Sequence, residues 1–120
     1  GQAQVVGAGH PSLLVVHHNG TTESIASVAP PLGMIKRSAF TETAIDLGPG
    51  DAFLLYTDGL LRWTKDERHR VTPGQLVLDH SAPSAEALLK RIVAQTAPEN
   101  SAKTAPDDVA AIAVRREDRQ

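Results

Sequence analysis

A chain of 120 residues, 41% of them hydrophobic but only 3% aromatic, is long enough for one small domain with an aliphatic core and argues against disorder. The formal net charge is −2, and no basic stretch interleaved with aromatic residues is present, which excludes an ordinary nucleic-acid-binding protein. The absence of cysteine excludes disulfides, zinc–thiolate sites and cysteine nucleophiles. It also fits a cytoplasmic protein, and no apolar run approaches the roughly 18 residues of a membrane helix.

The first part of the chain is predicted to consist of strands joined by glycine and proline turns. The strands are expected at residues 3–8, 13–18, 21–26 and 40–47. Asn19-Gly20 predicts a tight hairpin in which both residues have positive φ. His17 and His18 flank this turn, and neighbouring strand residues point to opposite faces. We therefore interpret them as hairpin surface, not as ligands of one ion.

The second part of the chain adds one apolar strand, two helices and a final strand. The unbroken run Ala52–Tyr56 is expected to be a strand buried on both faces. Helices are predicted from Pro73 to about His80 and from Ser84, as N-cap, to Thr96, and a strand over residues 109–115. Six mostly antiparallel strands with one or two late helices indicate an α+β protein.

Two acidic sites adjoin the predicted core strands. Asp58-Gly59 follows the strand that ends at Tyr56, and Asp107-Asp108 precedes the last strand. Taken alone, Asp58-Gly59 is well explained as a type I′ hairpin turn, and the acidic pair as a solvated loop end. Together they predict a site for Mg²⁺ or Mn²⁺, which bind carboxylate and water oxygens and need few protein ligands.

The glycine-rich segment near the start does not form a nucleotide site. Gly7 and Gly9 give G-x-G without a third glycine, and a strand follows where a dinucleotide-binding motif needs a helix. His10 lies after this turn and before Pro11. We interpret it as hydrogen-bonding to loop backbone in preference to a catalytic role.

Five short motifs, in order along residues 3–116, resemble the metal-dependent (PPM-type) protein phosphatases. The bacterial branch of stage II sporulation protein E and the sigma-factor regulatory phosphatases is the most similar. The motifs are A-G-H-P at residues 8–11, P-L-G at 31–33, L-G-P-G-D at 47–51, L-Y-T-D-G-L at 55–60 and D-D-V at 107–109. Gly9, His10, Gly33 and Gly59 are the motif residues with structural roles.

The resemblance implies an antiparallel β-sandwich flanked by helices, with two Mn²⁺ or Mg²⁺ ions in a cleft at one end. It implies hydrolysis of phosphoserine or phosphothreonine on a regulatory protein, such as an anti-anti-sigma factor, in the cytoplasm. Asp58 and Asp107 correspond to metal ligands, and Asp108 stands where relatives carry Asn or Asp. No phosphoenzyme is implied, so no catalytic residue is expected beyond the metal ligands.

One expected motif is absent: the first metal-binding Asp followed by Gly-His-Gly, which precedes A-G-H-P in the family. The chain therefore resembles the C-terminal portion of a phosphatase domain, a single partial domain over residues 1–120. We expect it to be inactive or nearly so by itself and to self-associate through exposed sheet surface. Two alternatives remain: a non-catalytic phosphatase-like interaction module, and a small α+β domain whose acids are turn residues.

Overall fold

A computed structural model describes residues 1–63, 71–96 and 108–118. Within these ranges the chain forms six strands, two α-helices and one 3-10 turn. They are β1 (Gln2–Val5), β2 (Leu13–Val16), β3 (Thr22–Ile25), β4 (Thr43–Asp46), β5 (Ala52–Tyr56), α1 (Asp58–Arg62), the 3-10 turn Pro73–Gln75, α2 (Ala85–Thr96) and β6 (Ala111–Arg115). The predicted α+β class is confirmed.

The strands form two antiparallel sheets. The larger sheet has the order β3-β2-β5-β6, and β1 pairs with β4 in a separate two-stranded sheet. Tyr56 at the end of β5 pairs with Ala111 at the start of β6. Because the two strands run in opposite directions, the segment after β5 and the segment before β6 lie at the same end of the sheet.

The helices cover one face of the larger sheet and the two-stranded sheet covers part of the other face, which gives three layers. On one face, side chains of β2 and β5 pack against both helices. In this core Leu54 of β5 lies with Leu60 of α1 and Ile92 of α2. On the other face, Val15 packs against Ile45 and its neighbours in the two-stranded sheet. All four residues of β2 are buried. The strand buried on both faces is therefore β2.

Strand β5 differs from the prediction because its second face is only partly covered. Ala52, Leu54 and Tyr56 are buried toward the helices, whereas the two residues between them are half-buried. The two-stranded sheet does not extend over β6, where Ile112 is 59% exposed and Val114 is 42% exposed. An apolar strip thus remains open at this edge of the sheet.

The β2–β3 hairpin forms as predicted, but its turn has a different geometry. Among the described residues no residue other than glycine has positive φ, so Asn19 is not left-handed, whereas Gly20 has φ 90°. The amide of Gly20 donates to the carbonyl of His17 (2.9 Å), and the amide of His17 donates to Thr21 (2.8 Å). A turn followed by one left-handed glycine is the usual longer hairpin loop, and it needs positive φ at the glycine alone.

The helix predicted from Pro73 to about His80 is wrong: only the 3-10 turn forms. Beyond it the chain is extended, with Leu76 and Leu78 buried and Val77 exposed between them. The Gln95 side chain in α2 accepts a hydrogen bond from the amide of Val77 (2.8 Å) and donates one to its carbonyl (2.7 Å). These bonds satisfy backbone groups that a helix would otherwise have paired, and they leave both leucines in the core.

Helix α2 forms with its predicted bounds, and the remaining predicted strands form with shorter bounds. Ser84 caps α2, because its Oγ accepts the amide of Ala87 at 3.1 Å. Strands β1 and β4 are shorter than the predicted runs. The charged composition of residues 65–70 and the polar composition of residues 98–106 predict surface loops, and both segments lie outside the described residues. No helix in the described part of the chain is long and apolar enough to cross a membrane.

Candidate active site

Asp58 lies where β5 gives way to α1. It is the first residue of the helix, and Thr57 is the N-cap. The amide of Leu60 donates to the carbonyl of Thr57 at 3.0 Å, which closes the first turn. Asp58-Gly59 is therefore not a hairpin turn, and Gly59 is a buried helical residue without positive φ.

The backbone of the second acidic segment is fixed directly beside Asp58. The hydroxyl of Thr57 donates to the carbonyl of Asp108 and accepts the amide of Ala110, both at 2.9 Å. The amide of Thr57 also donates to the carbonyl of Ala110 at 2.9 Å. The structure thus brings Asp58 and Asp108 to one end of the β5–β6 ladder. Asp107 lies outside the described residues.

An open cleft of about 370 Å³ lies at this end of the molecule. Its walls come from the A-G-H-P segment, the end of β3, α1 and the segment before the 3-10 turn. The lining residues are His10, Pro11, Ser12, Ala26, Ser27, Asp58, Leu61, Val71, Thr72 and Pro73. Two motifs far apart in sequence, at His10 and at Asp58, therefore share one concave surface, which is where a ligand would bind.

Close backbone packing holds the A-G-H-P segment in place. Gly9 has φ 73°, and its amide donates to the carbonyl of Ala29 at 2.8 Å. A Cβ on Gly9 would lie 2.4 Å from Cγ of Pro31, so this position needs glycine on both grounds. Gly33, the other motif glycine of this region, has φ 82° in a turn closed by the amide of Met34 on Pro31 (3.2 Å).

The His10 ring contacts backbone and an aromatic ring. Its Nδ1 lies 2.7 Å from the carbonyl oxygen of Pro11, which agrees with the predicted loop-backbone hydrogen bond. The ring also meets Tyr56 edge-on, with centroids 6.3 Å apart and planes at 69°. Burial raises the pKa of the Tyr56 hydroxyl, and the negative charge of Asp58 raises it further. The hydroxyl is buried and has no hydrogen-bond partner among the described residues.

A second polar cluster, at the opposite end of β5, was not predicted. Asp51 is only 4% exposed, and its carboxylate accepts the amides of His18 and Gly48, both at 2.8 Å. Nδ1 of His17 lies 2.7 Å from the same carboxylate, and its Nε2 lies 2.9 Å from Glu23. Nδ1 of His18 also lies 3.1 Å from Asp51. Because β2 ends at Val16, both histidines are in the loop and strand alternation does not separate them.

The charges of this cluster support one another. Hydrogen bonds to Asp51 and then to Glu23 raise the pKa of His17 above its ordinary value. Burial by itself would raise the pKa of the Asp51 carboxyl, but the bonds from His18, His17 and Gly48 outweigh it and hold that pKa well below the usual range. The sequence signal for this cluster was Asp51, the last residue of L-G-P-G-D, because a carboxylate buried in a turn needs hydrogen-bond donors. Its histidine partners could not be read from spacing.

Comparison with known proteins places the chain in a family. A model of the family described as stage II sporulation protein E (SpoIIE) matches residues 1–117. The chain belongs to this family. Protein IcfG of Synechocystis sp. is 30% identical over 60 residues, which are 50% of this chain and 10% of that protein. The predicted resemblance is confirmed.

Solved structures show the same fold over part of their length. The RsbU and RsbW domains of Rv1364c from Mycobacterium tuberculosis are 26% identical, with a TM-score of 0.68; the match covers 98% of this chain and 33% of that one. The SiaA-PP2C domain of Pseudomonas aeruginosa is 20% identical, with a TM-score of 0.67 and coverages of 98% and 46%. The phosphatase domain of SpoIIE from Bacillus subtilis, presoaked with Mn, is 12% identical, with a TM-score of 0.58 and coverages of 99% and 52%.

These matches define the fold. The last two are too distant to show more than architecture, but all three agree on a PPM-type phosphatase arrangement of antiparallel sheets and few helices. The chain spans between 33% and 52% of these structures and a tenth of IcfG. It therefore corresponds to part of a SpoIIE-like phosphatase domain.

Proposed function

We propose that this chain is the C-terminal part of a metal-dependent protein serine/threonine phosphatase that dephosphorylates a regulatory protein. The observation that carries the proposal is the pairing around Thr57, which puts Asp58 and the backbone of Asp108 at one end of the sheet. Asp58 lines the cleft at that end. Membership of the SpoIIE family supports phosphoester hydrolysis as the chemistry.

The donor set has the chemistry that a hard divalent cation requires. Asp58, Asp107 and Asp108 would hold it through carboxylate oxygens, the ligands that Mn²⁺ and Mg²⁺ prefer. In residues 1–63, 71–96 and 108–118 no group of three or more acidic or histidine side chains could hold an ion alone. In this proposal Asp58 and Asp108 supply part of the ligand set, and further ligands come from residues outside the described ranges, such as Asp107 and the Asp of the family's first motif.

The chemistry that two bound Mn²⁺ or Mg²⁺ ions would supply is a water of lowered pKa and neutralisation of the phosphate oxygens. The role of this chain's own residues is to hold the segments of Asp58 and of Asp107-Asp108 on a rigid support. The hydroxyl of Thr57, the residue before Asp58, binds the backbone of the second acidic segment at Asp108 and Ala110. Rigid placement matters because a catalytic constellation must be held to within about 0.5 Å.

The family and the open cleft support a phosphorylated protein as the substrate class. The cleft can receive a phosphorylated segment of another protein, and we propose phosphoserine or phosphothreonine of a cytoplasmic regulatory protein, such as an anti-anti-sigma factor. The RsbU and RsbW domains that occur together in Rv1364c support a regulatory setting. The open apolar strip on β6 supports packing against further protein, either the rest of a phosphatase domain or a second copy of the chain.

Hydrolysis of a phosphoserine peptide by the full-length protein with Mn²⁺ tests the proposal. Asp58→Asn should abolish hydrolysis and leave the thermal unfolding midpoint nearly unchanged, because the side chain lines an open cleft. Asp46→Asn, on the exposed side of β4, is the matched control and should keep full activity. Full activity in Asp58→Asn would remove Asp58 from the mechanism. Partner binding without any hydrolysis by the wild-type protein would favour a non-catalytic interaction module.

A further inference from the structure

The His10 ring is fixed in one tautomer. A carbonyl oxygen only accepts hydrogen bonds, so the 2.7 Å contact between Nδ1 and the oxygen of Pro11 requires a hydrogen on Nδ1. In the neutral ring the hydrogen on Nδ1 leaves Nε2 with a free lone pair. His10 therefore presents an acceptor, and a base, at the far edge of its ring.

The backbone that carries this ring is held from several sides. The amide of His10 donates to Oγ of Ser27 at 3.3 Å, and the preceding Gly9 packs against Pro31 too closely for any side chain. The edge-on contact with Tyr56 limits the tilt of the ring. Such multiple constraints are more than a surface loop needs, and they are what a precisely placed functional group requires.

The ring is exposed and lines the same cleft as Asp58. Within the described residues Nε2 has no hydrogen-bond partner, since the bonds of His10 go through its amide and through Nδ1. His10 also lines the neighbouring apolar hollow with Tyr56, Thr57 and Ala110. The acceptor edge of a fixed histidine is thus available in the cleft where we propose that a phosphoryl group binds.

We propose that His10 is a catalytic residue that accepts a proton from the attacking water through Nε2. The inference rests on the proposed phosphatase function. The water oxygen forms a bond to phosphorus, the bond from phosphorus to the seryl oxygen breaks, and one water proton passes to Nε2. The seryl oxygen takes a proton from a solvent water on the opposite side of phosphorus, and the imidazolium releases its proton to solvent, which leaves serine, inorganic phosphate and a neutral ring. No oxidant or other co-reactant is needed.

Two substitutions at His10 separate this role from a purely structural one. His10→Asn retains a donor near the position of Nδ1 and can keep the bond to Pro11, but it has nothing at the position of Nε2. His10→Gln places an amide near the position of Nε2, which can orient the water although it cannot take the proton. His80→Asn is the control, because this histidine is exposed and does not line the cleft.

We expect kcat of the full-length protein on a phosphoserine peptide to fall by about 10²-fold or more in His10→Asn, the range of general acid–base catalysis. KM should change little, and His10→Gln should retain more activity than His10→Asn. Equal kcat for His10→Asn and wild type, or a higher kcat for Asn than for Gln, would show that the ring is structural and overturn the proposal while leaving the phosphatase function intact. A wild-type protein without phosphatase activity would overturn both.

A second measurement needs no activity. Long-range ¹H–¹⁵N correlation spectra of the histidine rings should show His10 with hydrogen on Nδ1 and none on Nε2. A ring that carries its hydrogen on Nε2 would contradict the proposed acceptor.

Discussion

Replacing Asp51 should be among the most destabilising changes in the described part of this protein. Its carboxylate accepts two backbone amides at 2.8 Å, from His18 and Gly48, and the ring of His17 at 2.7 Å. In Asp51→Ala the two amides lose their acceptor at a residue that is only 4% exposed. Each unpaired donor that is shielded from water costs about 1–3 kcal/mol, so for the two amides we expect a loss of about 2–6 kcal/mol in the free energy of unfolding.

A milder substitution keeps the prediction measurable if alanine prevents folding, since domains of this size have only about 5–15 kcal/mol of stability. Asp51→Asn keeps one acceptor oxygen but turns its NH₂ group toward one of the donors, so about 1–3 kcal/mol should be lost. Asp46→Ala, at an exposed aspartate of β4, is the control and should stay within about 0.5 kcal/mol of wild type.

Urea unfolding followed by circular dichroism gives these free energies from the midpoint and slope. The predicted order of stability is wild type, then Asp51→Asn, then Asp51→Ala. An Asp51→Ala protein within about 0.5 kcal/mol of wild type would show that the amides find other partners, and it would refute the reasoning from buried donors.

Two other predictions concern pH and backbone conformation. Because the folded-state pKa of His17 is raised, its stabilising contribution is complete below about pH 6.5 and is lost as pH rises through the folded value. The free energy of unfolding should therefore fall as pH rises above about 6.5 in wild type and fall less in His17→Gln; parallel pH profiles would contradict this. Gly9→Ala should lower the free energy of unfolding by about 1–3 kcal/mol, because Gly9 has positive φ and a Cβ there would lie 2.4 Å from the ring of Pro31. Gly74→Ala is the control and should not lower it, because a Cβ there would have nothing within 4 Å. Equal losses in the two variants would contradict the packing argument.

The main elements could be predicted because their patterns are local. The apolar run over β5 and the helical spacing in α2 specify their own structures, and both occur close to the predicted bounds. The order of five motifs was enough to predict the family and the fold. The segments of Asp58 and Asp108 could be predicted to lie at one end of the sheet because each adjoins a strand, and the register Tyr56↔Ala111 puts them there.

The rest depends on contacts between distant residues, which spacing does not reveal. Residues after the 3-10 turn remain extended because Gln95, on α2, pairs with the backbone of Val77. His17 contacts Asp51 because the loop after β2 folds onto the turn before β5. The single tautomer of His10 follows from a distance to a carbonyl, and a sequence contains no distances.

The central claim is that Asp58 and Asp107 belong to one metal site. Calorimetric titration of Mn²⁺ into the full-length protein tests it directly. Asp58→Asn and Asp107→Asn should each weaken binding at least about tenfold, which is about 1.4 kcal/mol, and the double variant should lose little more than either single one. Unchanged affinity in both single variants, or fully additive losses at two separate sites, would contradict the claim.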